Sequence, residues 1–279
     1  MITFASMIVY PNAKINLGLN VVEKRPDGFH NIETVFYPVN WNDVLEILPD
    51  ETKDRGVTFS SSGIAIPGAV EENLCVRAYN LISGDYPMPA IKVHLHKIIP
   101  IGAGLGGGSS DAAFFIKAIN KLFELNLAWG ELHHYAKQLG ADCSFFITNK
   151  PVFAEGKGDQ LESTTVSLNG YYCAIVFPGV HVNTSDAYTN VTPHKPEISL
   201  EELIVSTPIP KWKDVLKNDF EKNIFKKFPM IGEMKKKMYQ SGAVYSGMSG
   251  SGSAVYGIFE KEISLADVFK GNLLWQGEF

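Results

Sequence analysis

Apolar and polar positions change their spacing several times along the chain, and each change predicts an element. From Met7 to Val22 apolar residues alternate loosely with polar ones, which predicts two short strands around a turn at Pro11 and Asn12. Arg25–Gly28 reads Arg-Pro-Asp-Gly; proline presets φ and glycine accepts the left-handed corner, so a turn is predicted. Phe29–Tyr37 and Val44–Leu48 predict further strands. Between Asn73 and Ile82, Leu74, Val76, Ala78 and Leu81 are spaced for a helix, and Asn73 is placed to cap it. Ile91, Val93 and Leu95 then alternate with Lys92, His94 and His96, as in a strand with one buried face. Helices are predicted over Ser110–Phe123 and Trp129–Leu139.

A turn-rich stretch at Lys150–Asp159 contains Pro151, Gly156 and Gly158. Beyond it, Tyr172–Phe177 predicts an apolar strand stopped by Pro178 and Gly179. Lys226–Gln240 sets Phe228, Ile231, Met234 and Met238 among lysines, an amphipathic helix on which Lys235–Lys237 reads as a solvated face. Ala243–Phe259 holds a second glycine cluster and a strand, Ala254–Phe259. Helices and strands mix without regular βαβ alternation, so a two-lobed α+β fold is predicted over a doubly wound sheet. The composition shift places the boundary so that residues 1–155 form one lobe and 156–279 the other.

Composition narrows the chemistry. The chain has 279 residues, 45% of them hydrophobic, enough for a full core. A net charge of -5 supplies no global basic field for nucleic acid or an anionic membrane. A small anionic ligand would be held by local cations, helix N-termini and backbone amides. Cys75, Cys143 and Cys173 lie far apart with no paired motif and read as reduced thiols, neither disulfide nor zinc ligands. No apolar run approaches the roughly 18 to 20 residues of a membrane-spanning helix. Met1–Tyr10 lacks basic residues, so no signal peptide is expected and the expected compartment is the cytoplasm.

The most informative segment is Pro100–Ala113, PIGAGLGGGSSDAA, with glycine at 102, 104, 106, 107 and 108. Such density costs conformational entropy without adding packing, so it asks for a reason. Backbone N–H groups wrapped around a phosphate, followed by the positive end of a helix dipole, supply one. Ser109 and Ser110 offer hydroxyls to a phosphate oxygen or to Mg2+. The duller reading is a hinge or a tight strand-to-helix turn. Gly108 is followed by Ser109 and no lysine, which excludes a Walker A loop. The GxGxxG match at Gly102, Gly104 and Gly107 lies too far along the chain for a dinucleotide-binding unit.

Three segments together resemble the GHMP kinases: PNAKINLGL at Pro11–Leu19, the glycine loop, and GMSGSGSAVYGIF at Gly247–Phe259. The resemblance implies an N-terminal ribosomal-protein-like ATP lobe, a C-terminal ferredoxin-like lobe, and phosphoryl transfer from ATP with Mg2+. RPDGFH at Arg25–His30, LGADCSFFI at Leu139–Ile147 and NDFE at Asn218–Glu221 resemble the branch that acts on a cytidine diphosphate derivative. That branch has Val-Pro where this chain has Cys143 and Ser144.

On this resemblance Asp142 is expected as catalytic base, with Lys14 holding it ionised or touching the transferring phosphoryl group. Phe29 and His30 are expected to read the cytidine and Tyr188 to close on it, with Thr184 nearby and Asn16 on the substrate's polar tail. Asn73, Leu74 and Lys97 match the adenine side, and Gly102, Gly104, Leu105, Gly106, Gly107, Gly108, Ser109 and Ser110 the phosphates. Read without the family, Asp142 is a helix-terminal acid, Lys14 an edge-strand lysine, Asn73 a helix cap and His30 a packing residue. Ser249–Ser253 reads equally as a phosphate contact or a close-packed turn. Competing functions are a GHMP kinase for homoserine, mevalonate or a sugar, and an RNA-binding protein, against which the acidic charge argues. A monomer or homodimer is expected.

Overall fold

The computed structural model describes residues 6–189 and 191–279. They fall into two compact units that interleave along the chain. The first comprises residues up to Ala13, Trp41–Ile101 and Gly106–Asn149; the second comprises Lys14–Asn40, Gly102–Leu105 and Lys150–Phe279. In chain order the elements begin with strands β1 (Met7–Val9), β2 (Asn12–Lys24), β3 (His30–Asn42), β4 (Val44–Pro49) and β5 (Val57–Gly63). Helix α1 (Leu74–Asp85), β6 (Ile91–Lys97), α2 (Gly107–Leu122), α3 (Trp129–Leu139) and α4 (Cys143–Thr148) follow. Then come β7 (Val152–Glu155), β8 (Gln160–Ser163), β9 (Tyr172–Phe177), α5 (Thr184–Tyr188), α6 (Leu200–Ser206), α7 (Trp212–Val215), α8 (Glu221–Lys227) and α9 (Pro229–Gln240). The chain closes with β10 (Tyr245–Met248), β11 (Val255–Phe259) and β12 (Leu273–Glu278).

In the first unit the sheet runs β1-β4-β6-β5, antiparallel except for the parallel β5–β6 pair. On β6, Ile91, Val93 and Leu95 are buried as their alternation predicts, and Lys97 continues on the same buried face. Helices α1 to α4 pack together, with α2 against β1 and β4. Asn73 caps α1, its side chain accepting a hydrogen bond from the Cys75 amide at 2.9 Å. Helix α2 starts at Gly107, three residues before the predicted Ser110. Gly106 turns into it at φ 69°, and a first turn of glycines carries no helix signal.

The second unit holds two four-stranded sheets, β2-β3-β7-β8 and β10-β11-β9-β12. Leu19, Val21 and Ile32 share one core with Ala174, Val176, Phe220, Ile231, Met238, Val255 and Phe259. The predicted pair of short strands is instead β1 and a 13-residue β2. Asn12–Val21 is buried without interruption, which blurs the alternation that would mark one long strand. The predicted helix from Lys226 is two helices, because Pro229 begins α9 at a position where its missing N–H costs nothing. Cys75, Cys143 and Cys173 are free and buried. Among the described residues no helix is long and apolar enough to cross a membrane.

Candidate active site

Within the second unit, the first and third motifs and the front of the glycine loop are knitted together. Buried on β2, Lys14 donates from Nζ to Asn16 Oδ1 at 2.6 Å and lies 4.5 Å from the centre of the Phe36 ring. Asn16 donates in turn from Nδ2 to Thr34 Oγ1 at 3.0 Å, and Thr34 donates to the Gly18 carbonyl at 2.6 Å. From the third motif, Ser249 accepts from the Asn16 amide at 3.3 Å and donates to the Gly104 carbonyl at 2.8 Å. Tyr256 donates to the Asn16 carbonyl at 2.7 Å. Gly104 has φ 78°, and a Cβ there would stand 1.9 Å from the Ser249 carbonyl oxygen. A Cβ on Gly102 would strike the His181 ring at 2.2 Å. These two glycines are demanded by close approach as well as by backbone angle.

Asn218 and Glu221, from the NDFE segment, hold the third motif from behind. Asn218 Nδ2 donates to the carbonyls of Met248 at 2.9 Å and Gly250 at 2.8 Å, while Glu221 Oε1 accepts from the Met248 amide at 2.9 Å. The close-packed-turn reading of Ser249–Ser253 therefore describes its contacts within this unit. Thr34 carries no sequence signal of its own, and Asn218 and Glu221 stand out in the sequence only as part of the NDFE segment. Asn16 and Ser249 lie 233 positions apart, beyond any local pattern.

Within the first unit, the end of the loop is set on charged groups. Lys97, 2% exposed, donates from Nζ to Asp111 Oδ2 at 2.8 Å and to Asp43 Oδ2. Asp43 Oδ1 accepts from the amides of Ile98 at 2.5 Å and Ile99 at 2.9 Å. Burial drives the Asp111 carboxyl up to about 7 against the pull of Lys97. Burial also lowers Lys97, but the two carboxylates outweigh it and raise the ammonium above its ordinary value. One cation between two carboxylates thus stays charged. Ser110 Oγ and Asp111 Oδ1 are buried without hydrogen-bond partners.

Leu74 Cδ1 lies 3.9 Å from where a Cβ on Gly108 would sit, so Leu74, expected on the adenine side, borders the start of α2, while Asn73 caps α1. Asp142 immediately precedes α4 and is half-buried, with no capping hydrogen bond to that helix. Next to it Cys143 is buried and its thiol is pushed up to about 11, chiefly by desolvation, with a hydrogen bond to Ser109 opposing the rise. That contact ties the residue after Asp142 to the first turn of α2. Cys143 and Ser144, where the resemblance implies Val-Pro, begin the short helix α4.

The aromatic residues are arranged less simply than a base sandwich. His30 and Tyr188 stack directly, centroids 4.7 Å apart and 17° from parallel, and Tyr188 meets Phe220 edge-on at 4.7 Å. A pyrimidine between His30 and Tyr188 would need about 7 Å, twice a carbon contact distance. Phe29 is 59% exposed, with Lys157 Nζ 5.0 Å from its ring centre. Thr184 Oγ1 lies 3.5 Å from Ser251 Oγ.

Comparison with known proteins adds independent findings. The family model described as GHMP kinases N terminal domain matches residues 73–150, and that described as GHMP kinases C terminal matches residues 201–270. A 4-diphosphocytidyl-2-C-methyl-D-erythritol kinase of Bacteroides thetaiotaomicron is 50% identical over 275 residues, covering 96% of this chain and 100% of the relative. One from Parabacteroides distasonis is 48% identical over 98% of this chain and 99% of its own length. A crystal structure of 4-(cytidine 5'-diphospho)-2C-methyl-D-erythritol kinase superposes with a TM-score of 0.82 at 31% identity, covering 97% of this chain and 98% of that one. The Methanococcus jannaschii mevalonate kinase, at a TM-score of 0.70 and 15% identity over 98% of both chains, shares the fold.

Proposed function

Because the chain belongs to the GHMP kinase family, we propose that it transfers the γ-phosphate of ATP to the 2-hydroxyl of 4-diphosphocytidyl-2-C-methyl-D-erythritol, a step of non-mevalonate isoprenoid synthesis. The observation that carries this reading is the end-to-end likeness to kinases of that substrate at 48 to 50% identity. Solved mevalonate and homoserine kinases resemble the chain at only 14 to 18% identity and support the fold alone.

The glycine loop fits a nucleoside triphosphate. Its positive-φ glycines leave the backbone bare, and α2 directs the positive end of its dipole to the same place. For Mg2+, the unpartnered Ser110 hydroxyl in the first turn of α2 is one protein oxygen that fits, since this ion takes few protein ligands beside phosphates. Bound there, it would neutralise charge on the phosphates. Phosphoryl transfer otherwise asks the protein for positioning and charge stabilisation. Asp142 accepts the proton of the attacking hydroxyl. Lys14, oriented by Asn16, supplies positive charge to the carboxylate or the moving phosphoryl group. Phe29 offers an exposed ring for the cytosine and His30 hydrogen-bonding groups for its edge. Residues 1–155 carry the nucleotide and catalytic groups and 156–279 contribute to substrate binding, a division on either side of which the two family models fall.

The test is ADP release by the purified protein with a panel of acceptors. Turnover is expected on the diphosphocytidyl compound; turnover on homoserine, mevalonate or a sugar instead would overturn the substrate assignment.

A further inference from the structure

We infer that Lys97, Asp43 and Asp111 form a positioning network that sets the path of the glycine loop, and that the Lys97 ammonium serves the nucleotide through this network without touching it. The inference rests on the kinase reading and deepens it. Lys97 ends β6, just before the chain enters the loop, and Asp111 lies at the start of the second turn of α2, just after the chain leaves it. Asp43, at the junction of β3 and β4, bonds Lys97 and also fixes the amides of Ile98 and Ile99, the first two residues of the approach. One buried cluster thereby grips both ends of the loop. The ammonium sits beneath the loop's exit, since a Cβ on Gly107 would stand 2.8 Å from Nζ and 3.0 Å from Ile99 Cγ2. At 2% exposure, with two of its three hydrogens engaged by carboxylates, it is poorly placed to reach a ligand.

Stability alone does not account for the cluster. Buried ions cost desolvation, and apolar replacements of equal volume commonly hold a fold as well or better. What an apolar trio would lack is direction. Asp43 aims two lone pairs at consecutive amides while its other oxygen binds the lysine, which fixes the approach to hydrogen-bond tolerance.

The experiment combines steady-state kinetics with amide hydrogen exchange of the nucleotide-free protein, for Asp43→Asn, Lys97→Met and the triple variant Lys97→Met/Asp43→Asn/Asp111→Asn. Asp43→Asn is expected to raise KM for ATP at least about tenfold while kcat and the acceptor KM stay within about threefold. Exchange of amides in 98–110 should quicken while Val93 and Leu95 on β6 stay protected. Lys97→Met strands two carboxylates, and neutralising both in the triple variant should recover most of the loss in ATP KM. Equal losses in Lys97→Met and the triple variant would mean that the ammonium touches nucleotide and would overturn the inference. So would unchanged exchange in 98–110 for Asp43→Asn, a readout that decides the matter alone if Lys97→Met does not fold. A parent protein that transfers no phosphate from ATP would sink the kinase reading, while the exchange measurement would still test the network.

Discussion

Asparagine at position 111 keeps the volume of the aspartate and an acceptor facing Lys97 while removing the charge. In the folded chain, burial pushes the Asp111 carboxyl from an ordinary 3.8 to about 7, even against the attraction of Lys97. Between those values the folded chain holds a proton that the unfolded chain has lost. The unfolded state binds fewer protons there, so stability falls as pH rises from about 4 to about 7 and levels off above. The whole displacement corresponds to about 4 kcal/mol. Lys97 remains charged across this window, because the two carboxylates outweigh its burial. Urea unfolding followed by tryptophan fluorescence, in steps from pH 4.5 to pH 8.5, gives the difference between variant and parent at each pH. Asp111→Asn should exceed the parent by several kcal/mol at pH 8 and by much less at pH 4.5, up to the same limit of about 4 kcal/mol. A difference independent of pH would refute the assignment of the proton to Asp111. Together with the loosened loop expected of this network, the outcome would be a more stable and less effective protein, a familiar exchange at functional sites.

Gly104→Ala forces a Cβ to within 1.9 Å of the Ser249 carbonyl at φ 78°, and thermal unfolding should show a far larger loss than for Gly28→Ala. Gly28, at φ 86° with nothing within 4 Å, should cost only the backbone penalty of about 1–2 kcal/mol. Phe29→Ala removes an exposed ring and should raise the acceptor KM about tenfold or more with ATP KM unchanged; a silent substitution would favour a different acceptor. Asp142→Asn should cut kcat by about 10²- to 10⁴-fold while nucleotide binding, followed by calorimetry, persists. Near-normal kcat in that variant would remove Asp142 from the role of base.

What the sequence made legible was local. The alternation on Ile91–Leu95, the Asn73 cap and the Arg25–Gly28 turn each depend on neighbours a few residues away, and each forms as expected. β5 went unread because its serine-rich exposed edge carries no apolar alternation, and α4 because six residues are too few for a helical period. Lys97 was visible only as a family position on the adenine side; its partners lie 54 and 14 residues away, so no spacing could announce them. The same holds for Ser249, whose contact with Asn16 joins the two ends of the chain. The glycine loop was legible as an anion site because glycine density has few other physical reasons. The need for Gly104 to meet Ser249 became visible only in the fold.

The most direct measurement follows the phosphoryl group itself. ATP labelled at the γ-phosphate, incubated with the protein and 4-diphosphocytidyl-2-C-methyl-D-erythritol, should yield a product carrying the label on the oxygen of carbon 2, read by phosphorus–carbon coupling in NMR. Label found only in inorganic phosphate, on another hydroxyl, or solely on homoserine, mevalonate or a sugar when those are offered, would contradict the account.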